Sequence, residues 1–400
     1  MSWWKTKKRI VVTCARGISS FVVKELRDLG FPVVSEGMAH IETEGTLEDT
    51  MRLNLCLRTA QRVLFLVESF KAKNPDELYR GVSRIGWEDL LPDGEYLCVT
   101  SSVETPSIQD TRFANLKCKD AIVDRLKRTR GHRPDSGPER DHAVIHVRWQ
   151  GEESSIYVDT SGEPLSRRGY RRIPLKAPMQ ETLATAVVLA TGWEGRSNFI
   201  NPMCGSGTLV IEAALIGLGR APGLLRSNFG FLHMKGVEDA SWKTLRKKVR
   251  AAAKNELGGR IIATDISDRA VEAARKNAVT AGVDRWIEFK TSPFAETLIP
   301  DGGGVVVLNP EYGERMGEVE ALKATYREIG DFFKRTCQGY RGYIFTGNLD
   351  LAKHVGLRTR RRIPFFSSNL ECRLLEYELY EGSQKEKGLR PIQPWEPTVG

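Results

Sequence analysis

Apolar residues recur along this chain with two periods, and the fold class follows from where one gives way to the other. Near the start, "KRIVVTCA" reads as a strand, "ISSFVVKELRDLG" has helical spacing ending at Gly30, and "HIETEG" closes a strand at a turn. Residues 1–70 are therefore predicted to form a small α+β unit. Residues 71–160 repeat the mixture: helical "PDELYRGVSRIGWEDLL", strand "EYLCVTSSV", the basic helix "TRFANLKCKDAIVDRLKRTRG", then strands "HAVIHVRWQ" and "ESSIYVDTS". This predicts a second compact unit.

The stretch 161–180, containing "GEPLSRRGYRRIPLKAPMQ", has the Pro and Gly content of a linker and concentrates Arg167, Arg168, Arg171, Arg172 and Lys176 around Tyr170. Beyond it, over 181–385, near-continuous apolar strands alternate with amphipathic helices: "SNFIN", "TLVIEAALIGLG", "RIIATDI", "SDRAVEAARKNAVTAG", "WIEFK", "GVVVLNP", "EALKATYREIGDFFKRTC", "RGYIFTG" and a hairpin-like "LECRLLEYELY". That alternation predicts a largely parallel sheet covered on both faces, an α/β domain. Residues 386–400 read as a tail.

Composition narrows the function classes. At 400 residues and 40% hydrophobic content the chain is long enough for two or three cores, and its 60 Lys+Arg against 51 Asp+Glu leave a formal charge of +9, which favours polyanionic partners. Seven cysteines with no CxxC pair suit reduced thiols in the cytoplasm. The apolar run Ile10 to Val12 is too short for a signal peptide or membrane span, so no membrane partner is expected. His142 and His146 lie in the alternating "HAVIHVRW" and read as surface or strand residues, not as a zinc pair; no metal is expected.

Two strand ends carry candidate chemistry. "NFINPMCGSGTLVIEAAL" puts Gly205 and Gly207 between a strand and a helix, where the backbone can approach a ligand and the helix N-terminus favours a carboxylate or phosphate. The third glycine of a dinucleotide fingerprint is missing, and Asp265 lies too far downstream to be its acid. A nucleoside without phosphates to cradle fits better. S-adenosylmethionine (SAM) has the matching parts: a carboxylate for the glycine turn and ribose hydroxyls for Asp265. The alternative for Asp265 is an acid placed near a helix N-terminus.

The second strand end is "VVVLNPEYGER". An exocyclic base amine is a poor nucleophile because its lone pair is delocalised into the ring. Acceptors such as Asn309 Oδ1 and the Pro310 carbonyl would favour its pyramidal form. Tyr312 offers a ring on which an unpaired or flipped base can stack.

With both motifs in view, residues 8 to about 381 resemble the THUMP-containing class I RNA methyltransferases, most closely the RlmL-type 23S rRNA guanine-N2 methyltransferases. The likeness rests on "LSRRGYR" with "APMQETLATAVVLATGW", on "NPMCGSGTLVIEAALIGLGRAPGLLR", on "ATDISDRAVEAARKNAVTAG" and on "NPEYGERM". It implies a ferredoxin-like region, a THUMP domain and a C-terminal Rossmann-like methyltransferase with a mostly parallel seven-stranded sheet. The second, fused methyltransferase that many bacterial members carry is not expected.

The resemblance assigns Pro202, Cys204, Gly205, Gly207 and Thr208 to the methionine end of SAM, Asp265 to its ribose, and Asn309, Pro310 and Tyr312 to the target guanine. Three positions depart from the family pattern. Asn201 stands where an aspartate usually opens the glycine motif. The aspartate that usually holds the adenine amine is missing from "KTSPFAET", leaving Ser292 or backbone. Glu311 replaces the second proline of N-P-P-Y, which relaxes two backbone constraints; its carboxylate either accepts from guanine N1–H and N2–H or points to solvent.

Arg315, Arg167, Arg168, Tyr170 and Arg171 are expected to meet RNA, Arg315 having an ion pair with Glu314 or Glu318 as its alternative. The expected partner is 23S rRNA or an assembling large ribosomal subunit, and the expected activity is methyl transfer from SAM to guanine N2. Readings that compete with it are a non-catalytic RNA-binding or ribosome-assembly factor, a guanine-N2 methyltransferase of tRNA, and an adenine methyltransferase of DNA.

Overall fold

The structure is a computed structural model and describes residues 3–108, 110–173, 175, 178–313, 316–367 and 370–380. The expected tail and Arg315 lie outside the described residues.

The first region contains β1 (Lys8–Cys14), α1 (Ser19–Asp28), β2 (Ser35–Glu36), β3 (His40–Gly45), α2 (Leu47–Cys56) and β4 (Ala60–Lys71). Alternation sets the packing of β1: Ile10 and Val12 enter the large core, while Val11 faces the other side with Leu64. A capping box starts α2, Thr46 Oγ1 accepting from the Asp49 amide while the Asp49 carboxylate accepts from Thr46 N–H at 2.7 Å.

The second region adds α3 (Pro75–Arg84), α4 (Trp87–Leu90), β5 (Leu97–Glu104), α5 (Thr111–Arg130), β6 (Ala143–Gln150) and β7 (Glu153–Asp159). It does not form a sheet of its own. The 12-residue β4 pairs with β1 on one edge and with β7 on the other, so one seven-stranded sheet, in the order β2-β3-β1-β4-β7-β6-β5, runs through both regions. Two units legible as separate patterns share one sheet because a single strand is long enough to serve both.

The linker expectation is corrected here. Much of 161–173 is packed between the domains, with Leu165, Arg168 and Tyr170 at most 2% exposed, while Arg167, Gly169 and Arg172 lie at the surface. Arg168 donates to Glu212 Oε1 at 2.8 Å, to the Arg58 carbonyl at 2.6 Å and to Thr185 Oγ1 at 3.2 Å. Tyr170 donates to the same Glu212 oxygen at 3.0 Å, and burial followed by the Glu212 charge raises its pKa well above the usual phenol range. Neither side chain reaches the surface to meet RNA. A buried charge survives only when paired and hydrogen-bonded; Arg168 meets that condition by joining the first region to the third.

The third region holds α6 (Glu181–Ala190), β8 (Asn198–Pro202), α7 (Thr208–Gly217), α8 (Asp239–Ala251), β9 (Ile261–Asp265), α9 (Asp268–Ala281), β10 (Ile287–Thr291), β11 (Gly304–Leu308), α10 (Met316–Arg335), β12 (Tyr340–Thr346), α11 (Leu349–Lys353), β13 (Arg361–Ser367) and β14 (Leu370–Glu378). Its sheet runs β10-β9-β8-β11-β12-β14-β13. The first five strands are parallel and the β13/β14 hairpin antiparallel, as the alternation of strands and helices predicted. All of β8 is buried, and side chains such as Phe199 and Ile200 contribute about 1.5–3 kcal/mol each. One apolar cluster extends from Ile10 to Leu374 across all three regions, and a second covers the other face of this sheet.

Candidate active site

The strand order places β8 between β9 and β11, so the loops that follow these three parallel strands share one carboxyl edge. Ligands bind at such an edge where the strand order reverses.

After β8 the chain makes a tight loop. Met203, at φ 63°, is the only non-glycine residue among those described with a left-handed backbone, and Gly205 and Gly207 follow at φ 53° and 82°. The two glycines serve different needs. A Cβ on Gly207 would stand 2.8 Å from the Ala274 Cβ, so its absence lets α9 approach, whereas the Cβ position of Gly205 has nothing within 4 Å and opens into space a ligand can use. Cys204 N–H donates to the Thr264 carbonyl at 2.8 Å, pinning the loop to β9. Burial first, and the Asp265 charge second, push the Cys204 thiol pKa far up, so this sulfur stays neutral and offers no thiolate nucleophile.

Asp265 ends β9. Its carboxylate accepts from Gly205 N–H at 2.9 Å and from Ser267 N–H at 3.0 Å, which sets it across the glycine loop with lone pairs remaining for further donors. The helix α9 is capped by Ser267 instead, whose hydroxyl accepts from the Ala270 amide. Ser292, 5% exposed, donates its amide to the Asp265 carbonyl at 3.0 Å and its hydroxyl to the Pro293 carbonyl at 3.0 Å.

Asn201 has a role that the residue pattern did not suggest. Its Nδ2 donates to the Val307 carbonyl at 2.7 Å, tying the end of β8 to the end of β11. An aspartate would put an acceptor against that carbonyl, so asparagine suits this chain. Asn201 is 1% exposed and its Oδ1 has no hydrogen-bond partner among the described residues. A buried acceptor left without a donor costs about 1–3 kcal/mol, and a ligand cation would relieve it.

On the β11 side, Asn309 is half-buried and its side chain makes no hydrogen bond among the described residues; Pro310 is buried and Glu311 is exposed. Tyr312 is half-buried, and its ring crosses Gly347, where a Cβ would come within 3.3 Å of it. Asn348 Nδ2 donates to the Tyr312 carbonyl at 3.3 Å and holds the turn.

The structure also brings in residues that spacing did not single out. Asn277, fully buried on α9, accepts from Arg172 N–H and Ile173 N–H at 2.9 and 3.2 Å and donates to the Ser206 carbonyl at 3.1 Å. It locks the basic segment against the glycine loop. Arg171 donates to Thr208 Oγ1 at 3.1 Å and to the Met179 carbonyl at 2.6 Å, and pairs with Glu181 at 3.3 Å; it therefore braces the start of α7, next to the glycine loop. Ile266, just after Asp265, is 75% exposed, an unusual position for an isoleucine. Of the basic segment's expected RNA contacts, Arg167 remains at the surface, 73% exposed. A cleft of about 310 Å³ lies between the first region and the start of α6, lined by Arg16, Gln61, Gln180 and Phe366, with the Arg16 guanidinium 4.8 Å from the centre of the Phe366 ring.

With this geometry established, comparison with known proteins is informative. Residues 168–376 match the RMKL-like methyltransferase domain, residues 9–64 the RlmL ferredoxin-like domain and residues 72–159 the THUMP domain. A Syntrophotalea carbinolica protein named ribosomal RNA large subunit methyltransferase K/L is 36% identical over 385 residues, covering 93% of this chain and 54% of its own length. The chain thus spans about half the length of such relatives. A putative RNA methyltransferase of Synechocystis sp. is 32% identical, with 94% of this chain and 98% of that protein aligned. Among solved structures, a putative methyltransferase complexed with SAH superposes with a TM-score of 0.83 at 31% identity, covering 95% of this chain and all of the other. A Listeria monocytogenes protein described as a predicted N6-adenine-specific DNA methylase gives 0.82 at 33% identity, over 93% and 96% of the two chains. The chain belongs to the RMKL-like methyltransferase family, with an RlmL-type ferredoxin-like region and a THUMP domain ahead of its class I methyltransferase domain.

Proposed function

We propose that this protein transfers a methyl group from SAM to the exocyclic N2 of a guanine in 23S rRNA. The observation that carries the reading is the adjacency of Asn309 and Pro310 to the glycine loop, on neighbouring strands tied by the Asn201–Val307 hydrogen bond. The residues fit the cofactor. Asn201 Oδ1 lacks a donor that the α-ammonium would supply, Gly205 leaves open space beside the loop, and Asp265 retains acceptors for the ribose hydroxyls. Thr208, at the start of α7, and the loop amides would hold the methionine end, and the exposed Ile266 and the Ser292 backbone would hold the adenine.

When bound, SAM supplies an electrophilic methyl carbon whose bond to sulfur breaks as the new N2–carbon bond forms. The chain's own groups prepare the amine. Asn309 Oδ1 and the Pro310 carbonyl accept its two hydrogens, drawing the nitrogen lone pair out of conjugation with the ring. Tyr312 stacks on the base, a contact worth about 1–3 kcal/mol. No strong base is required: the nitrogen becomes cationic only as the new bond forms, and its extra proton then passes to solvent water. Arg167, the cleft around Arg16 and Phe366, and the basic face of α5 hold the RNA through phosphates and an unpaired base, leaving selection to the pocket. The names of the curated relatives support an rRNA target over tRNA.

The test is methyl transfer from labelled SAM to deproteinised 23S rRNA lacking the modification, followed by digestion to nucleosides. N2-methylguanosine is the expected product. N6-methyladenosine would overturn the base assignment, and product only with tRNA would overturn the substrate. RNA binding without SAM binding would favour the non-catalytic factor.

A further inference from the structure

Away from the methyltransferase cleft, two histidines and a glutamate meet where the THUMP domain touches the third region. Glu95 lies just before β5 and His142 just before β6, while His233 ends a 3-10 turn, Gly230–His233, that packs on β6 and β7. The approach is close: a Cβ on Gly230 would collide with the Asp159 carbonyl at the end of β7. Nδ1 of His142 is 2.9 Å and Nδ1 of His233 is 3.1 Å from the same oxygen, Glu95 Oε1, and the ligating atoms of the three residues all lie within 4.8 Å of one another.

The hydrogen bonds of His233 make this cluster informative. Its Nε2 lies 2.9 Å from Asn228 Oδ1, and the orientation of that amide is fixed because Asn228 Nδ2 donates to the Asp141 carbonyl. Nε2 therefore carries hydrogen and donates. In the neutral ring Nδ1 is then a bare lone pair facing a carboxylate oxygen that can only accept. Two acceptors so close require a cation between them. An extra proton on His233 would fill that gap, with neutral His142 donating Nδ1–H to the same oxygen; a metal ion would instead draw both imidazole nitrogens and the carboxylate to one centre, and the meeting of three ligating groups is what favours it. Imidazole nitrogen and carboxylate oxygen together suit zinc and neighbouring divalent transition metals. Bonds of about 2.0–2.1 Å in a tetrahedral site give ligand separations of about 3.3 Å, near the two short distances here. Asn228 supplies the outer hydrogen bond that orients a ligating imidazole. The His142 side chain is 45% exposed, which leaves an entry path and room for water as a further ligand.

We infer that Glu95, His142 and His233 bind one divalent transition-metal ion of the zinc class, which clasps the THUMP domain to the methyltransferase domain. The ion fixes the RNA-holding surface relative to the site of transfer and takes no part in the chemistry there.

The experiment uses the full chain after treatment with a chelator. Equilibrium dialysis against zinc with elemental analysis is expected to give one ion per chain, and cobalt substitution is expected to show visible bands without the charge-transfer absorption of thiolate ligands. Zinc should raise the unfolding midpoint by about 3–5 °C. His142→Ala, at a half-exposed position the fold tolerates, should weaken binding by about tenfold or more and abolish the midpoint shift, and Glu95→Gln should do the same. Absence of bound zinc in the wild type, affinity unchanged in both variants, or thiolate absorption with cobalt would each overturn the inference.

Discussion

The two ends of the active-site edge are built differently. At the cofactor end nearly every polar group is already engaged: Asp265 bridges Gly205 and Ser267, Arg171 holds Thr208, and Asn277 locks Ser206 to the basic segment. At the acceptor end, Asn309 and Glu311 make no side-chain hydrogen bonds among the described residues, and Tyr312 leans on a glycine. On the proposed reading, the difference follows from what each end binds. A small ligand of constant shape is served by a finished receptor, in which little rearranges on binding. A nucleobase arriving from a folded RNA brings its own donors, so the acceptor meant for it must stay free until then. Preorganisation at one end and readiness at the other are two solutions to the same problem of positioning a methyl group against an amine.

Mutations at the two ends should therefore separate cleanly. Asn309→Ala removes the free acceptor, and methyl transfer should fall by about 10²–10³ in kcat while SAM affinity, measured by calorimetry, stays unchanged. Loss of SAM binding in that variant would show the two ends to be one cooperative unit. Gly207→Ala should act in the opposite sense. Its φ of 82° and the Ala274 contact make a side chain costly, by about 2 kcal/mol or more, so the unfolding midpoint and SAM affinity should both drop while RNA binding persists. Tyr312→Ala should raise the KM for RNA by about 10–100-fold through lost stacking, with SAM affinity intact.

How far the sequence revealed this contrast depended on what each residue's neighbours are. The parallel sheet, the glycine loop and the Asn309 turn were legible because period, glycine placement and strand ends are local signals. Arg168 and Tyr170 were not, since a basic run beside Pro and Gly looks the same whether it faces solvent or fills the junction of two domains; only the position of Glu212, on α7, decides it. The Asn201 hydrogen bond is not legible either, because its partner, the Val307 carbonyl, lies one strand away. The helix α8 carries only a narrow apolar stripe, Trp242 buried with Leu245 and Val249 partly buried, among many charged residues. The shared sheet was hidden for a related reason: nothing in β4 announces that both of its edges are paired.

The smallest expected effect concerns Glu311, where the residue pattern left two roles open. The side chain is exposed and makes no hydrogen bond among the described residues, whereas Asn309 and Tyr312 beside it are half-buried. A carboxylate that accepted guanine N1–H and N2–H together would lose one of two charge-assisted bonds on conversion to the amide, worth about 1.5–3 kcal/mol. A side chain in solvent would lose nothing. Glu311→Gln should therefore change kcat/KM for the RNA by less than about twofold, in keeping with the small effect of surface substitutions. A drop of about tenfold or more with guanine at the target, set against no drop with inosine, which lacks the N2 amine and gives only competitive binding, would place the carboxylate on the base edge. In that case the acceptor end would hold a second prepared acceptor, and the contrast with the cofactor end would narrow to Asn309 alone.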